Sequence, residues 1–336
     1  METPALFRFC PELQSTIPWL GIIPEATPVA PLRHLGKLWK HDGLYIKRED
    51  LTDSVYGGNK VRNLEFLLGA AMARNRTRLA TIAPLGSNFV AALTAQAKKF
   101  NFNVDVSHFV PARSAQIDAH HRFSTSQGAR FTIFQGRSGV IPAGLSALGK
   151  MFGSEMDGIE TEWIAPGGSS LVGALGHVNA GLEMAEQVAR GEMPRPDVIV
   201  VGVGTRGTIA GLTTAMKMLK WNVRIIGVRC VDAIICHRTN IASFSTNVLD
   251  SLGARDKVRG SDIELVDPPS ETGYGTSSDE TRESSQLFES EEGIQLDQTY
   301  TSKVTTILSR FVRSGELNRK KVLYWHTFSP KAMPVN

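Results

Sequence analysis

Tyr56-Gly57-Gly58-Asn59-Lys60-Val61-Arg62-Asn63-Leu64-Glu65 is the stretch whose reading decides the fold. It follows a run of strand length, Leu44-Tyr45-Ile46-Lys47, and the charged Arg48-Glu49-Asp50. A helix is predicted over Val61 to Ala73, which sets Lys60 at the first helical turn, after two glycines that permit unusual backbone angles. A lysine placed there can hold its amine against a cofactor. The same spacing also suits an ordinary lysine on a solvated helix start, one of 37 Lys and Arg residues in the chain. The segments on either side must separate these readings.

Downstream, strand and helix alternate. Leu79 to Ala83 reads as a strand, Pro84-Leu85-Gly86-Ser87-Asn88 as a turn, and Phe89 to Phe100 as a helix. Ser87 or Asn88 could serve only as an N-cap. Val104 to Val110 is a strand, Ser114 to Gln127 a polar helix, and Arg130 to Phe134 another strand. Trp163-Ile164-Ala165-Pro166-Gly167-Gly168-Ser169-Ser170 ends a strand, and Leu171 to Ala189 has amphipathic spacing. Asp197 to Val203 is a continuous apolar run, as in a strand buried on both faces. It leads into Gly204-Thr205-Arg206-Gly207-Thr208 and a helix from Ile209 to Leu219. Strand, glycine turn and helix start is the recipe for a phosphate cradle, because free N–H groups and the helix dipole face the anion. An ordinary tight turn has the same pattern. Arg224 to Val231 is a strand, Asp232 to Glu271 is irregular, Thr272 to Glu292 is a loop plus an exposed helix, Val304 to Arg313 is a helix, and Val322 to Thr327 is a terminal strand. Repeated strand–helix units predict α/β architecture, with open, mostly parallel sheets flanked by helices.

Upstream, residues Met1 to Lys40 are proline-rich and poorly periodic, with Thr27-Pro28-Val29-Ala30-Pro31-Leu32 extended. The chain has 336 residues, enough for two domains, with 42% hydrophobic and 21% charged residues. The net charge of +4 is scattered. Without an aromatic-interleaved basic stripe, nucleic-acid binding is not expected. Cys10, Cys230 and Cys236 form no disulfide framework or zinc pattern, so no metal is expected. No secretory signal or membrane-spanning run is visible, and a cytoplasmic protein is expected.

Leu44 through Glu65 closely resembles the segment around the cofactor lysine of the ACC deaminase and D-cysteine desulfhydrase family. These are pyridoxal-phosphate (PLP) enzymes of fold type II, the tryptophan-synthase-β-like fold. The Gly86-Ser87-Asn88 turn, Gly167-Gly168-Ser169-Ser170, the 204–208 loop, and the Tyr300-Thr301 and His326-Thr327 pieces resemble the same family in the same order, over about residues 15 to 327. The resemblance implies two α/β domains, 1–57 plus 161–336 and 58–160, with PLP in the cleft and a homodimeric habit. It implies that Lys60 forms the Schiff base, that Asn88 bonds the ring hydroxyl, and that Ser87 takes the substrate carboxylate. Gly204, Thr205, Arg206, Gly207 and Thr208 would hold the phosphate, and Thr327 would face the pyridine nitrogen. Tyr274 and Tyr300 would stand over the cofactor as acid–base groups or substrate contacts; buried aromatics with satisfied hydroxyls are the plain alternative. Thr301 stands where ACC deaminases carry glutamate and D-cysteine desulfhydrases threonine. That favours β-elimination from a small D-amino acid, giving pyruvate, ammonia and a thiol or sulfide. An ACC deaminase-like enzyme, another PLP-dependent amino-acid enzyme and a non-catalytic binding module on the same fold are the alternatives.

The chain departs from the family pattern in places. Gly86 stands for glutamine, Phe89-Val90-Ala91 for polar residues, and Phe328-Ser329 for Gly-Gly. Asn63 stands where a lysine near the phosphate is common, and Arg206 where glycine is. Arg206 is expected to restore the lost cation, since a guanidinium binds phosphate through two parallel bonds.

Overall fold

The computed structural model describes residues 2–110, 115–136, 139–146, 160–233, 235–268 and 275–328. In chain order its elements are α1 (Ala5–Phe9), β1 (Val29–Pro31), α2 (Arg33–Trp39), β2 (Leu44–Arg48), α3 (Lys60–Ala73), β3 (Arg78–Pro84), α4 (Asn88–Lys99), β4 (Asn103–Phe109), α5 (Ala115–Ser126), β5 (Arg130–Phe134) and β6 (Thr161–Trp163). There follow α6 (Leu171–Ala189), β7 (Val198–Val203), α7 (Gly207–Met218), β8 (Arg224–Arg229), α8 (Arg238–Ser251), β9 (Glu264–Val266), α9 (Asp279–Glu292), α10 (Thr301–Arg313) and β10 (Val322–His326).

The strands form two sheets, one of six in the order β1-β2-β10-β7-β8-β9 and one of four in the order β5-β4-β3-β6. Every pairing is parallel except β1 with β2. Parallel strands need covering on both faces, and β7 shows why its sequence is apolar throughout. Ile199 and Val201 pack in one cluster with residues of α1, α6, α7 and α8, whereas Val198 and Val200 pack in another with α2, α9 and α10. The smaller sheet has its own core, in which Leu79, Val104 and Val106 meet Leu64 and Leu68 of α3 and Val90 and Leu93 of α4. Burying each such side chain contributes roughly 1.5–3 kcal/mol.

Most element boundaries agree with the sequence pattern to within two or three residues. The stretch read as irregular between Asp232 and Glu271 instead holds α8 and β9. Helix α8 begins with an uncommon capping box: the His237 ring accepts the Asn240 N–H, and Asn240 answers with its side chain. In the proline-rich N-terminal region, α1 and α2 are five and seven residues long. That is too short for periodicity to register.

Candidate active site

The C-terminal ends of both parallel sheets converge on one cavity of about 1050 Å³. Ile82, Ala83 and Pro84 line it from β3, Phe109 from β4, Gly202 to Thr208 from β7 and the turn into α7, Arg229 from β8, and Thr327 and Phe328 from the end of β10. Loops at this end of parallel strands can gather polar groups around a ligand.

Lys60, the first residue of α3, stands in the wall of this cavity. Its turn is pinned on three sides. Gly58 N–H donates to Glu49 O at 3.0 Å, the Thr52 hydroxyl to Gly58 O at 2.9 Å, and Asn59 N–H to Thr327 O at 3.1 Å. The last bond ties the lysine turn to the end of β10. Burial lowers the Lys60 amine from 10.5 to about 8. At pH 7 roughly a tenth of it is then neutral, on the order of 300 times the neutral fraction of an ordinary lysine.

Two residues further on, Arg62 anchors α3 in a buried charge network. Its Nε and Nη2 donate to Glu49 at 3.0 and 2.9 Å, and its Nη1 and Nη2 to Glu183 of α6 at 2.6 and 2.8 Å. Lys47 Nζ donates to the same Glu183 at 2.6 Å and to Gln187 at 2.6 Å. Two cations and two carboxylates balance, so the network adds no net charge beside Lys60. Burial by itself would raise the Glu183 carboxyl, but Arg62 and Lys47 outweigh it and hold the group at about 2.

Three helices, α3, α4 and α7, open on the cavity with no capping bond from the residue before them. Ser87 precedes α4 and Arg206 precedes α7, and neither side chain makes a capping bond. Elsewhere α6, α8 and α9 are capped by Ser170, His237 and Ser278. An uncapped start leaves backbone N–H groups without intrahelical partners at the positive end of the dipole, the arrangement that binds phosphate or carboxylate. The α7 turn is Gly204-Thr205-Arg206-Gly207-Thr208. Gly204 lets the Tyr300 ring pack close to the turn, since a Cβ there would lie 3.1 Å from it and the ring would have to shift by a few tenths of an ångström. The Thr208 hydroxyl accepts Asn59 Nδ2 at 2.8 Å and meets His177 Nε2 at 3.3 Å. Burial first, then the Lys60 and Arg62 charges, pushes His177 well below its ordinary value, so that ring is neutral.

Lys60, Ser87, Asn88, the 204–208 turn, Tyr300 and Thr327 therefore all line one cavity. Tyr274 and Ser329 lie outside the described residues. His326, just before Thr327, is pushed down to about 4 by burial, and its Nδ1 meets the Tyr324 hydroxyl at 2.9 Å. Thr301, the residue that separates the two branches of the family, is fully buried and absent from the cavity wall. Its hydroxyl donates to Asp297 Oδ1 at 2.6 Å, and Asp297 also accepts the N–H groups of Tyr300 and Thr301. Thr301 thus reaches the cavity only through Tyr300.

The departures sort the same way. Phe89 and Phe328 line the cavity, whereas Gly86, Val90 and Ala91 do not. Asn63 donates to Gly168 O at 3.2 Å, and its buried Oδ1 has no hydrogen-bond partner. The Arg206 guanidinium lies 4.8 Å over the Phe244 ring, and its buried Nε has no hydrogen-bond partner. What sequence reasoning missed is tertiary in origin: Glu183 and Gln187 answer Arg62 and Lys47 from α6 with no local signal, and Tyr56 lines the cavity with its hydroxyl 3.1 Å from His120 Nε2.

A family model described as pyridoxal-phosphate dependent enzyme matches residues 23–327. A Pyrococcus furiosus protein provisionally named 1-aminocyclopropane-1-carboxylate deaminase is 31% identical over 318 residues, which is 94% of this chain and 93% of that one. D-cysteine desulfhydrase of Salmonella paratyphi C is 30% identical over 314 residues, 90% of this chain and 92% of that one. Among solved structures, an ACC deaminase homologue superposes with a TM-score of 0.85 at 27% identity, covering 98% of this chain and 96% of that one. A processed threonine deaminase isoform from Solanum lycopersicum, at 15% identity, TM-score 0.63 and coverage of 96% and 84%, shares the fold.

Proposed function

The chain belongs to the pyridoxal-phosphate-dependent enzymes, and from that membership we propose that it is a lyase of small amino acids most like D-cysteine desulfhydrase, releasing pyruvate, ammonia and a thiol or sulfide. The observation that carries the proposal is Lys60, an amine drawn down to about 8 by burial in the wall of a cavity that also holds the uncapped starts of α4 and α7. These donors fit the cofactor. The amides at the start of α7 and the Thr208 hydroxyl would take the phosphate, Asn88 the ring hydroxyl, and Thr327 the ring nitrogen. When bound, PLP supplies an electron sink for bond breaking at the substrate Cα.

The protein's own groups do the rest. Lys60 Nζ holds the cofactor and moves the Cα proton, for which a pKa near neutrality suits it. Ser87 and the free amides of α4 orient the substrate carboxylate. Tyr300, set on Gly204 and fixed by Asp297, covers the site from the large sheet. Thr327 offers the ring nitrogen an uncharged hydroxyl beside a neutral His326, which favours elimination over transamination. In the same reading the larger, cofactor-binding domain is built from residues 1–57 and the chain after 160, and the smaller from 58–160, except that Thr161–Trp163 pairs with β3 and so belongs with the smaller sheet, which moves that boundary past Trp163. Action in the cytoplasm as a homodimer rests on likeness to the family.

The test is the visible absorption of the purified protein, before and after D-cysteine, L-cysteine and 1-aminocyclopropane-1-carboxylate. The expected result is a yellow protein whose band disappears in Lys60→Ala and shifts with D-cysteine or a close analogue. A response to the cyclopropane substrate alone would favour the deaminase alternative. A colourless protein that takes up no added PLP would overturn the proposal and favour a non-catalytic binding module.

A further inference from the structure

The lyase reading leaves open what the substrate carries on its Cβ, and the cavity wall bears on that. A carboxylate held at Ser87 and the start of α4 places the rest of the amino acid against the smaller sheet. The wall there is Ile82, Ala83, Pro84, Phe89, Phe109 and Val140, and Phe328 lines the cavity from the end of β10. Apart from Lys60, no charged side chain lines the cavity on the smaller-sheet side among the described residues. Tyr56 is there, with its hydroxyl already meeting His120. The other charged groups, Arg206, Arg229, Asp232 and Asp267, lie at or just beyond the C-terminal ends of β7, β8 and β9. Arg229 and Asp267 satisfy each other through bonds of 2.7 and 2.6 Å.

A free thiol or leaving sulfide presented to the smaller-sheet wall meets phenylalanine and aliphatic carbon. An ammonium or carboxylate on the side chain would lose water there with no partner, at a cost of kilocalories per mole. An apolar substituent gains from the same wall. The cavity of about 1050 Å³ slightly exceeds the roughly 300–1,000 Å³ of small-molecule sites, as one that takes both cofactor and substrate must.

Resting on the lyase reading, we propose that the substrate class is the β-thioether amino acids, S-alkyl or S-aryl cysteines, ahead of free cysteine. The net reaction is S-R-cysteine plus water giving pyruvate, ammonia and RSH. The Cα–H and Cβ–S bonds break, the Cβ–S electron pair leaves with sulfur, and the sulfur takes up a proton. Water supplies the keto oxygen of pyruvate and ammonia carries the nitrogen away. Phe328 and Phe109 are the residues that set the preference.

The test uses PLP-loaded protein and two readouts. The first is a spectral titration with ligands that have no β-leaving group: alanine, leucine, phenylalanine, aspartate and lysine, each as both enantiomers. Each buried CH₂ improves binding about fourfold, so leucine is expected to bind on the order of fiftyfold tighter than alanine, with aspartate and lysine weaker than alanine. The second is pyruvate release from S-benzylcysteine, S-methylcysteine and cysteine, with kcat/KM expected to fall in that order. Phe328→Gly is expected to weaken leucine at least fivefold and alanine less than twofold; the ligand series on the unaltered protein stands whether or not this variant folds. Free cysteine preferred over the thioethers, aspartate or lysine bound as well as leucine, or a coloured protein that answers none of the panel would each overturn the proposal. If D-cysteine were still turned over, the lyase reading would survive. Failure to take up PLP would sink both.

Discussion

Glu183→Gln removes the charge at the centre of the network that fixes the lysine helix. In the native chain its carboxylate accepts Arg62 at 2.6 and 2.8 Å, Lys47 at 2.6 Å and Thr27 N–H at 3.0 Å. The amide keeps the shape, but its NH₂ group must face one of these donors. Arg62 and Lys47 hold the Glu183 carboxyl at about 2, against an ordinary 4.5. Each unit of pKa is worth about 1.4 kcal/mol, so the carboxylate's charge stabilises the fold by about 3 kcal/mol. That agrees with the roughly 3–5 kcal/mol lost when a buried pair loses one partner. Because the folded pKa is depressed, this stability is fully present above about pH 4.5 and is lost as pH falls toward 2. Urea denaturation of the PLP-free chain and its variant measures it. The expected result is a loss of about 3 kcal/mol at pH 7 that shrinks below pH 4.5. A loss under about 1 kcal/mol, or a difference that stays constant down to pH 3, would refute the view that these charges hold the site's frame.

With its amine at about 8, Lys60 should make PLP capture by the cofactor-free chain speed up tenfold per pH unit below 8 and level off above. Stopped-flow absorbance would show it, and a midpoint near 10.5 would mean that burial does not act on this amine. Arg206 adopts φ 66° in the left-handed region, which costs a residue with a Cβ about 1 kcal/mol. Arg206→Gly should therefore be about 1 kcal/mol more stable than Arg206→Ala in thermal or urea unfolding. Since the guanidinium stacks on Phe244, Arg206→Ala should change PLP affinity less than threefold; a tenfold loss would instead show that it supplies the cation in place of the lysine that Asn63 replaces. Gly86 has φ 76°, and a Cβ there would lie 2.7 Å from Ile117 Cα. Gly86→Ala should cost at least about 2 kcal/mol in chemical denaturation, and a neutral result would show that the turn can shift.

The alternation of apolar runs, glycine turns and helical stretches was enough to specify parallel α/β architecture, because strand and helix periodicities are local and β7 must be apolar where helices cover both faces. The Gly-Gly-Asn-Lys stretch and the 204–208 turn were legible for the same reason: each packs its backbone and side-chain requirements into a few consecutive residues. Helix α8 was not, since its cap is a histidine that no propensity rule favours.

Only the tertiary structure decided what depends on distance through space. It brought Glu183 to Arg62 across 121 positions of sequence, and the depressed amine of Lys60 follows from burial that no local pattern encodes. It set Thr301 behind Tyr300, with its hydroxyl on Asp297. It put Phe89 and Phe328 into the cavity wall while leaving Gly86 outside it. Sequence fixes which groups are present and which elements carry them. Their solvation and partners, and so their pKa values and the chemistry of the pocket, are set only when elements far apart in the chain pack together.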